Sequence, residues 1–565
     1  MPVQAAGRLL VAPQTVSVVI DDLTLGSSST TSSVIALVGT SEGGTPREWT
    51  YCNSYNQVRD QFRGGNLVEL AQRLYSPAAG EPGANRVLVY RVDLGVQASA
   101  VIQDAATTDT VIDLVSRDYG AHTNQIQVKI EAGSSAGYKA GVKGPDSTLV
   151  TSKDNIQRAM LSVQYTGSGT TATITVASTG VTTTIDATPT EYTFATYGTV
   201  QAIADALIAT GDYAISVIGS ADAASSTLDF VTDANIKASA QTLTAHNQAV
   251  IDWLNTETSL VTATRGAAAH AGKALEDMAA FRYLTGGSSG GAVVTDDYDN
   301  ALSALQGEHC DIVCTDSADA AVHALISAHC VLMSQTGANR ERIGVAAGGS
   351  DVADAISRAQ AINSERMVLA YPALKDYNSA GELVTLGAAH TAAAIAGLIA
   401  GSPISEPITR KSVRCVGPAV KLSPSDIDDL LLGGVLPIEV YRTGGARVAQ
   451  GILTRSDGAN AMQREISSRR AADVTVVSVR DRLDSQLVGV ASGPLYAQQA
   501  ISMTNSVLNQ LTNEGILVGD SSQPAYSDVS AEISGELLTV SFRASVVTPG
   551  NYVIVRATLG AYSAS

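Results

Sequence analysis

Charge is scarce in this chain, and so are aromatic rings and cysteine. Charged residues make up 16% of 565 and aromatic residues 5%; typical soluble domains carry about 25% charge. A long chain with so little charge points to a surface hidden in a larger assembly. Basic residues are the scarcer sign: 36 Lys and Arg stand against 54 Asp and Glu, a net charge of −18. Binding to nucleic acid relies on a basic face that neutralises phosphates, so this balance argues against DNA, RNA and anionic membrane surfaces. Five cysteines, Cys52, Cys310, Cys314, Cys330 and Cys415, are too few and too odd in number for a disulfide framework. They fit a reduced, cytosolic compartment. Met1–Leu10 lacks an apolar core of signal-peptide length. The best candidate for a membrane span, Leu386–Gly401, is mostly Ala and Gly with His390 inside it. A spanning helix needs about 20 more strongly apolar residues, so the stretch reads as a buried core helix.

The length exceeds what one hydrophobic core supports, about 250–300 residues, so several domains are expected. Thr15–Ile20 (TVSVVI) alternates like a half-buried strand, and Gly26–Ser33 (GSSSTTSS) has linker composition. A lone strand is unstable in water and must pair with something. Val34–Thr40 reads as a buried strand, Asn66–Tyr75 as an amphipathic helix and Arg86–Val92 as a strand, a βαβ-like unit at the edge of an α/β sheet. From about 96 to 264, short β-rich runs such as Gln125–Ile130, Ala172–Val176 and Tyr213–Ile218 alternate with Gly, Ser, Thr and Asp, around one helix at Thr199–Ala209. They read as one or two inserted β-rich domains. From 292 to 375 helices and strands alternate: Asp296–Leu305, Asp311–Thr315, Ala318–Met333, Arg342–Ala347, Asp351–Asn363 capped by Ser350, and Met367–Tyr371. That order implies a parallel sheet covered by helices. Beyond 419, Val435–Val440 and Val448–Thr454 read as strands, and Leu495–Glu514 as a helix closed by Gly515. Gln463–Leu483 is ambiguous, because Val474–Val479 is β-branched. Leu537–Val547 and Tyr552–Leu559 read as strands hinged at Pro549–Gly550.

The chemistry-like motifs are weak. Gly287-Ser288-Ser289-Gly290-Gly291 fits the nucleophile-elbow pattern, but an elbow needs a strand before it and a helix directly after. Here Ala292–Thr295 is extended in character. Gly344–Gly349 runs from strand to helix, a context for phosphate, yet lacks the fingerprint of a dinucleotide or P-loop site. His309, Cys310, Cys314, His323, His329 and Cys330 suggest a metal by composition only. Four residues of strand separate Cys310 from Cys314 by about 13 Å, whereas two thiolates on one zinc lie within about 4 Å.

Two other features point to assembly. Arg442, Arg447, Arg455, Arg464, Arg469, Arg470, Arg480 and Arg482 face only Asp457, Glu465, Asp473 and Asp481 between 442 and 482. Eight minus four gives +4 inside a chain of −18, which suits an acidic protein partner or a solvated face with intramolecular pairs. Both ends also carry strand-like runs, which fit either addition to other chains through backbone hydrogen bonds or ordinary pairing within this chain.

Several segments resemble the contractile phage tail sheath family. Leu284–Gly291 (LTGGSSGG), with the helix and strand that follow it, is similar to that family's Gly-rich segment. Ala392–Gly401 (AAAIAGLIAG) resembles its Ala-Gly helix, and Asp113–Asn124 (DLVSRDYGAHTN) the entry to its outer domain. Arg469–Asp473 (RRAAD) looks like the Arg-rich start of its C-terminal helix, and Pro549–Leu559 (PGNYVIVRATL) like its final strand. The segments also follow the family's order. Ser405–Val413 matches the loop after the Ala-Gly helix only loosely.

The resemblance implies an α/β core with a parallel sheet, tail-sheath-like, with inserted β-rich outer domains and terminal strand arms. The expected division is an N-terminal arm and linker at 1–30, core at 31–95 and 265–418, outer domains at 96–264, and a C-terminal, tube-facing region at 419–565. It implies a helical homo-oligomer of stacked rings around an inner tail tube protein, with baseplate and tail terminator partners, in a virion tail assembled in the host bacterial cytoplasm. Neighbours would exchange strands through Thr15, Val16, Ser17, Val18, Val19 and Ile20 and through Tyr552, Val553, Ile554 and Val555. Arg464, Arg469, Arg470, Arg480 and Arg482 would face the tube. No catalytic residue, cofactor, metal, nucleic acid or membrane is implied. The competing readings are a hydrolase or nucleotide-binding enzyme on the 292–375 unit, and a surface adhesin built on the β insertions.

Overall fold

The computed structural model describes residues 3–5, 8–10, 33–378, 380–441, 445–457, 461–490, 493 and 495–551. They divide into two compact units, one formed by 1–41, 46–93 and 292–565, the other by 42–45 and 94–291.

The first unit is built on a nine-stranded sheet. In spatial order its strands are Ser412–Val413, Ala446–Val448, Leu436–Val440, Met367–Tyr371, Ile343–Ala347, Ile312–Thr315, Val34–Gly39, Arg86–Arg91 and Trp49–Cys52. The strands from Leu436–Val440 to Arg86–Arg91 run parallel. Antiparallel strands close both edges. Parallel strands covered on both faces read as unbroken apolar runs, and here the two faces alternate residue by residue. Ile35, Leu37, Val87, Val89, Ile312, Cys314 and Val345 enter one core. Ala36, Val38, Leu88, Tyr90, Val313, Ala346 and Leu369 enter the other.

The first face is covered by the helices Tyr55–Phe62, Asn66–Tyr75 and Ala388–Gly401. The last of these is buried from Thr391 to Ala400, as its Ala-Gly composition predicts. A Cβ on Gly397 would lie 2.7 Å from the Leu74 carbonyl oxygen, so glycine is what lets the two helix backbones meet. The second face is covered by Thr295–Ala304, Ala320–Met333, Val352–Ile362 and Pro424–Leu432. The Val352–Ile362 helix is capped by Asp351, not by Ser350: the Asp351 side chain accepts from the Asp354 amide.

The structure shifts two of the expected boundaries. Leu436–Val440 and Ala446–Val448, expected in a separate C-terminal region, are strands of the main sheet. Residues 265–291, expected in the core, belong to the second unit. Arg282–Tyr283 pairs with Gln127–Ala132, and Thr285 and Ser288 bridge Ser99 and Val96.

The second unit is β-rich. Around the helix His246–Glu257, Trp253 and Leu254 pack with Ile112, Leu114, Val128 and Ile130 from two antiparallel sheets. A further group, between 159 and 244, wraps two sheets around the helix Val200–Ile208, which Thr199 caps. Its strands alternate apolar-in and Thr-out: Ala172, Ile174 and Val176 are buried while Thr173 and Thr175 are partly exposed.

Candidate functional site

The C-terminal part of the first unit carries the groups expected to act in assembly. Residues Ile466–Leu487 form one continuous helix, Val474–Val479 included. β-branched residues disfavour helix only mildly, and packing decides here. Ala471, Thr475, Val479, Leu483 and Leu487 recur every four residues and are buried. The apolar members of this stripe join Ala500, Leu508 and Leu511 of the helix Tyr496–Asn513. The Thr475 hydroxyl donates to the Ala471 carbonyl oxygen at 2.8 Å.

The arginines do not form one outward row. Arg469, Arg470 and Arg480 are buried, which corrects the expectation that they face a tube. Arg469 donates to Asp473 Oδ1 at 2.9 Å, and Arg366 pairs with the other oxygen of the same carboxylate. Burial opposes the Asp473 charge, but Arg469 and Arg366 outweigh it and hold the carboxyl below the usual range. Arg480 makes a two-pronged pair with Glu341 at 2.6 and 2.8 Å. Arg470 donates to Ser33 Oγ at 3.1 Å, and burial pushes its guanidinium down to about 10 while Asp311 acts against this. These charges hold the long helix onto the sheet domain. Arg464 and Arg482 are exposed.

Tyr526–Ser534 and Leu537–Ala544 form an antiparallel hairpin, with no third strand among the described residues. Val529, Ala531, Leu538, Val540 and Phe542 pack toward the C-terminal core, and Glu532, Thr539 and Ser541 face outward. The first strand had no counterpart in the sequence reading. Thr15–Ile20 and Tyr552–Val555, the expected exchanged strands, lie outside the described residues. Val3–Ala5 pairs antiparallel with Arg8–Leu10.

The motifs that could have signalled chemistry are built into the scaffold. Ser289 lies in a bridged extended segment, and the next helix starts only at Thr295, so it sits on no elbow. The nearby His122 has both ring nitrogens engaged, by Asp118 Oδ2 at 3.0 Å and the Glu42 carbonyl oxygen at 3.2 Å, and leaves none to activate a serine. The helix after Gly344–Gly349 opens on Asp351 and Asp354, whose side chains accept the Asp354 and Ser350 amides; a phosphate there would meet carboxylates. Cys310 and Cys314 enter opposite faces of the sheet, and burial raises both thiols to about 12. Among the described residues no group of three or more His, Cys, Asp and Glu could hold a metal. Nor is any helix there long and apolar enough to cross a membrane.

Comparison with known proteins meets this architecture at every scale. Residues 291–454 match the family model for the phage tail sheath protein central domain. The chain is 29% identical to the tail sheath protein of Bacillus phage SP01 over 97% of its own length and 95% of that protein. Over nearly its whole length it is similar to phage tail sheath proteins. The tail sheath protein of Staphylococcus phage Twort is 24% identical, over 86% of this chain and 87% of that one. In fold, the chain is similar to the crystal structure of a sheath tail protein from Listeria innocua, with a TM-score of 0.57 and 14% identity, covering 93% of this chain and 94% of that one. A sheath tail protein from Desulfitobacterium hafniense gives 0.55, covering 94% and 100%. These matches support a structural subunit of a tail sheath. Sheath proteins are generally not enzymes, in keeping with scaffold roles for Ser289 and Gly344–Gly349. The family match spans most strands of the parallel sheet, from Ile312–Thr315 to Ala446–Val448.

Proposed function

We propose that this sheath subunit polymerises as stacked rings around an inner tail tube, between a baseplate and a tail terminator. Its contraction would drive the tube through the host envelope. The subunit would assemble in the host cytoplasm and remain in the virion tail, without nucleic-acid or membrane contact. The observation that carries this reading is the Tyr526–Ser534/Leu537–Ala544 hairpin. A two-stranded sheet is marginal by itself, and its outer backbone edges invite another chain. The terminal runs Thr15–Ile20 and Tyr552–Val555 supply strand-patterned segments at both ends of the same chain. Each backbone hydrogen bond contributes about 0.5–1.5 kcal/mol net, so one added strand contributes several kcal/mol per contact. Such tethers let subunits rotate between two lattices without separating. The β-rich unit 94–291 would face outward, and the exposed Arg464 and Arg482 would meet an acidic tube surface.

Mixed copies test the exchange. Subunits carrying Val18→Cys, assembled with subunits carrying Ser541→Cys and oxidised, should yield a disulfide-linked dimer on a denaturing gel. Tubes that form normally yet never give that band would rule out the hairpin as the receiving edge.

A further inference from the structure

Glu465 stands at the N-terminus of the Ile466–Leu487 helix and is 6% exposed. Its Oε1 accepts from Gln450 Nε2 and from Asn551 Nδ2, both at 2.6 Å. Among the described residues, its buried Oε2 has no hydrogen-bond partner, and neither does the buried Oδ1 of the same Asn551. Buried acceptors without donors are costly. Here two of them belong to side chains already joined by one hydrogen bond. A single proton shared between them would satisfy both, because a protonated carboxyl gains one O–H donor.

We propose that Glu465 and Asn551 form a proton-dependent clasp. Glu465 Oε2–H donates to Asn551 Oδ1, while Asn551 Nδ2 donates to Glu465 Oε1, closing an acid–amide ring. Loss of the proton to solvent turns the first of these contacts into two facing acceptors and opens the ring on that side. The clasp joins the base of the long helix to the residue directly before the C-terminal segment 552–565. It thus fixes Asn551 at the base of that helix.

The surroundings favour the protonated form. Burial pushes the Glu465 carboxyl above its ordinary 4.5, against the opposing bonds from Gln450 and Asn551 and the charge of Arg464. Arg464 is the charged group acting on it among the described residues; Gln450, Asn551 and the Ile452 backbone, which bridges Glu465, are neutral. With the folded value raised, the clasp's contribution is fully present below the ordinary value and is lost as pH rises through the raised one.

Amide hydrogen exchange on the full chain, followed in peptides covering Ser545–Asn551, tests this against Glu465→Gln. Glutamine carries a permanent donor and acceptor and keeps the ring closed at every pH. After correction for intrinsic exchange, the wild-type rate should equal the variant's below the ordinary value of 4.5. It should rise to about fivefold above the variant's at higher pH, the equivalent of about one net hydrogen bond. A ratio that stays flat up to about pH 8, well past the ordinary range of carboxylates, would overturn the proposal. Asn551→Leu gives a second arm: with no ring to lose, it should show no such pH step, and a wild-type step in this variant would equally refute the clasp.

Discussion

Asp473→Asn should cost the first unit about 3–5 kcal/mol of stability, the loss typical of breaking a buried ion pair from one side. The Asp473 carboxylate is shared by Arg469 and Arg366, whose side chains are 2% and 8% exposed. Removing it leaves two buried guanidinium groups with less compensation than they have now. Glu365, 3.6 Å from Arg469, cannot replace a carboxylate in direct contact with both. The urea midpoint of the first unit checks the prediction; a loss under about 1 kcal/mol would show that solvent reaches the pair as it reaches a surface bridge. The pH dependence has a definite sign. Because the folded carboxyl titrates below its ordinary 3.8, its contribution is present above that value and lost as pH falls through the lowered one. The asparagine variant should therefore lose less of its remaining stability on acidification than the wild type does.

Removing residues 1–25 should abolish polymerisation and leave a folded, soluble monomer. The sheet cores draw on Val34 onward, so the truncation takes no residue from them. What is lost is the short Val3–Ala5/Arg8–Leu10 pair and the strand-patterned run Thr15–Ile20, with the backbone bonds that run would give a neighbour. Because a polymer needs every such contact, a deficit of several kcal/mol per contact is multiplied along the lattice. Circular dichroism and melting should match the full chain, while sedimentation should show monomer only. Tubes formed by the truncated chain would exclude the N-terminal strand as a necessary link.

How legible these features were in the sequence depended on how local their causes are. Val34–Gly39, Ile343–Ala347 and Met367–Tyr371 stand out because strands buried on both faces must be apolar throughout, and Ala388–Gly401 because only small residues permit close helix packing. Tyr526–Ser534 escaped notice for a physical reason: Asp528 has φ of 56° and the register shifts between Ser527 and Ser530, so a bulge breaks the period of two. Val474–Val479 pointed toward strand, and a stripe of contacts from distant segments overrode it. The arginines show the limit most clearly. Asp473 lies four residues after Arg469, a spacing that signals a helical pair, but Glu341 and Arg366 are more than a hundred positions from their partners. A sequence displays such charges without displaying what neutralises them. The same holds for Glu465 and Asn551, brought together only by the fold.

A sheath subunit should assemble with copies of itself. Negative-stain electron microscopy of the purified full-length protein, alone and mixed with its tail tubes, tests this most directly. Hollow, regularly striated tubes, or a striated coat on the added tubes, are the expected result. Monodisperse single subunits at high concentration, across a range of salt and in the presence of tail tubes, would contradict it.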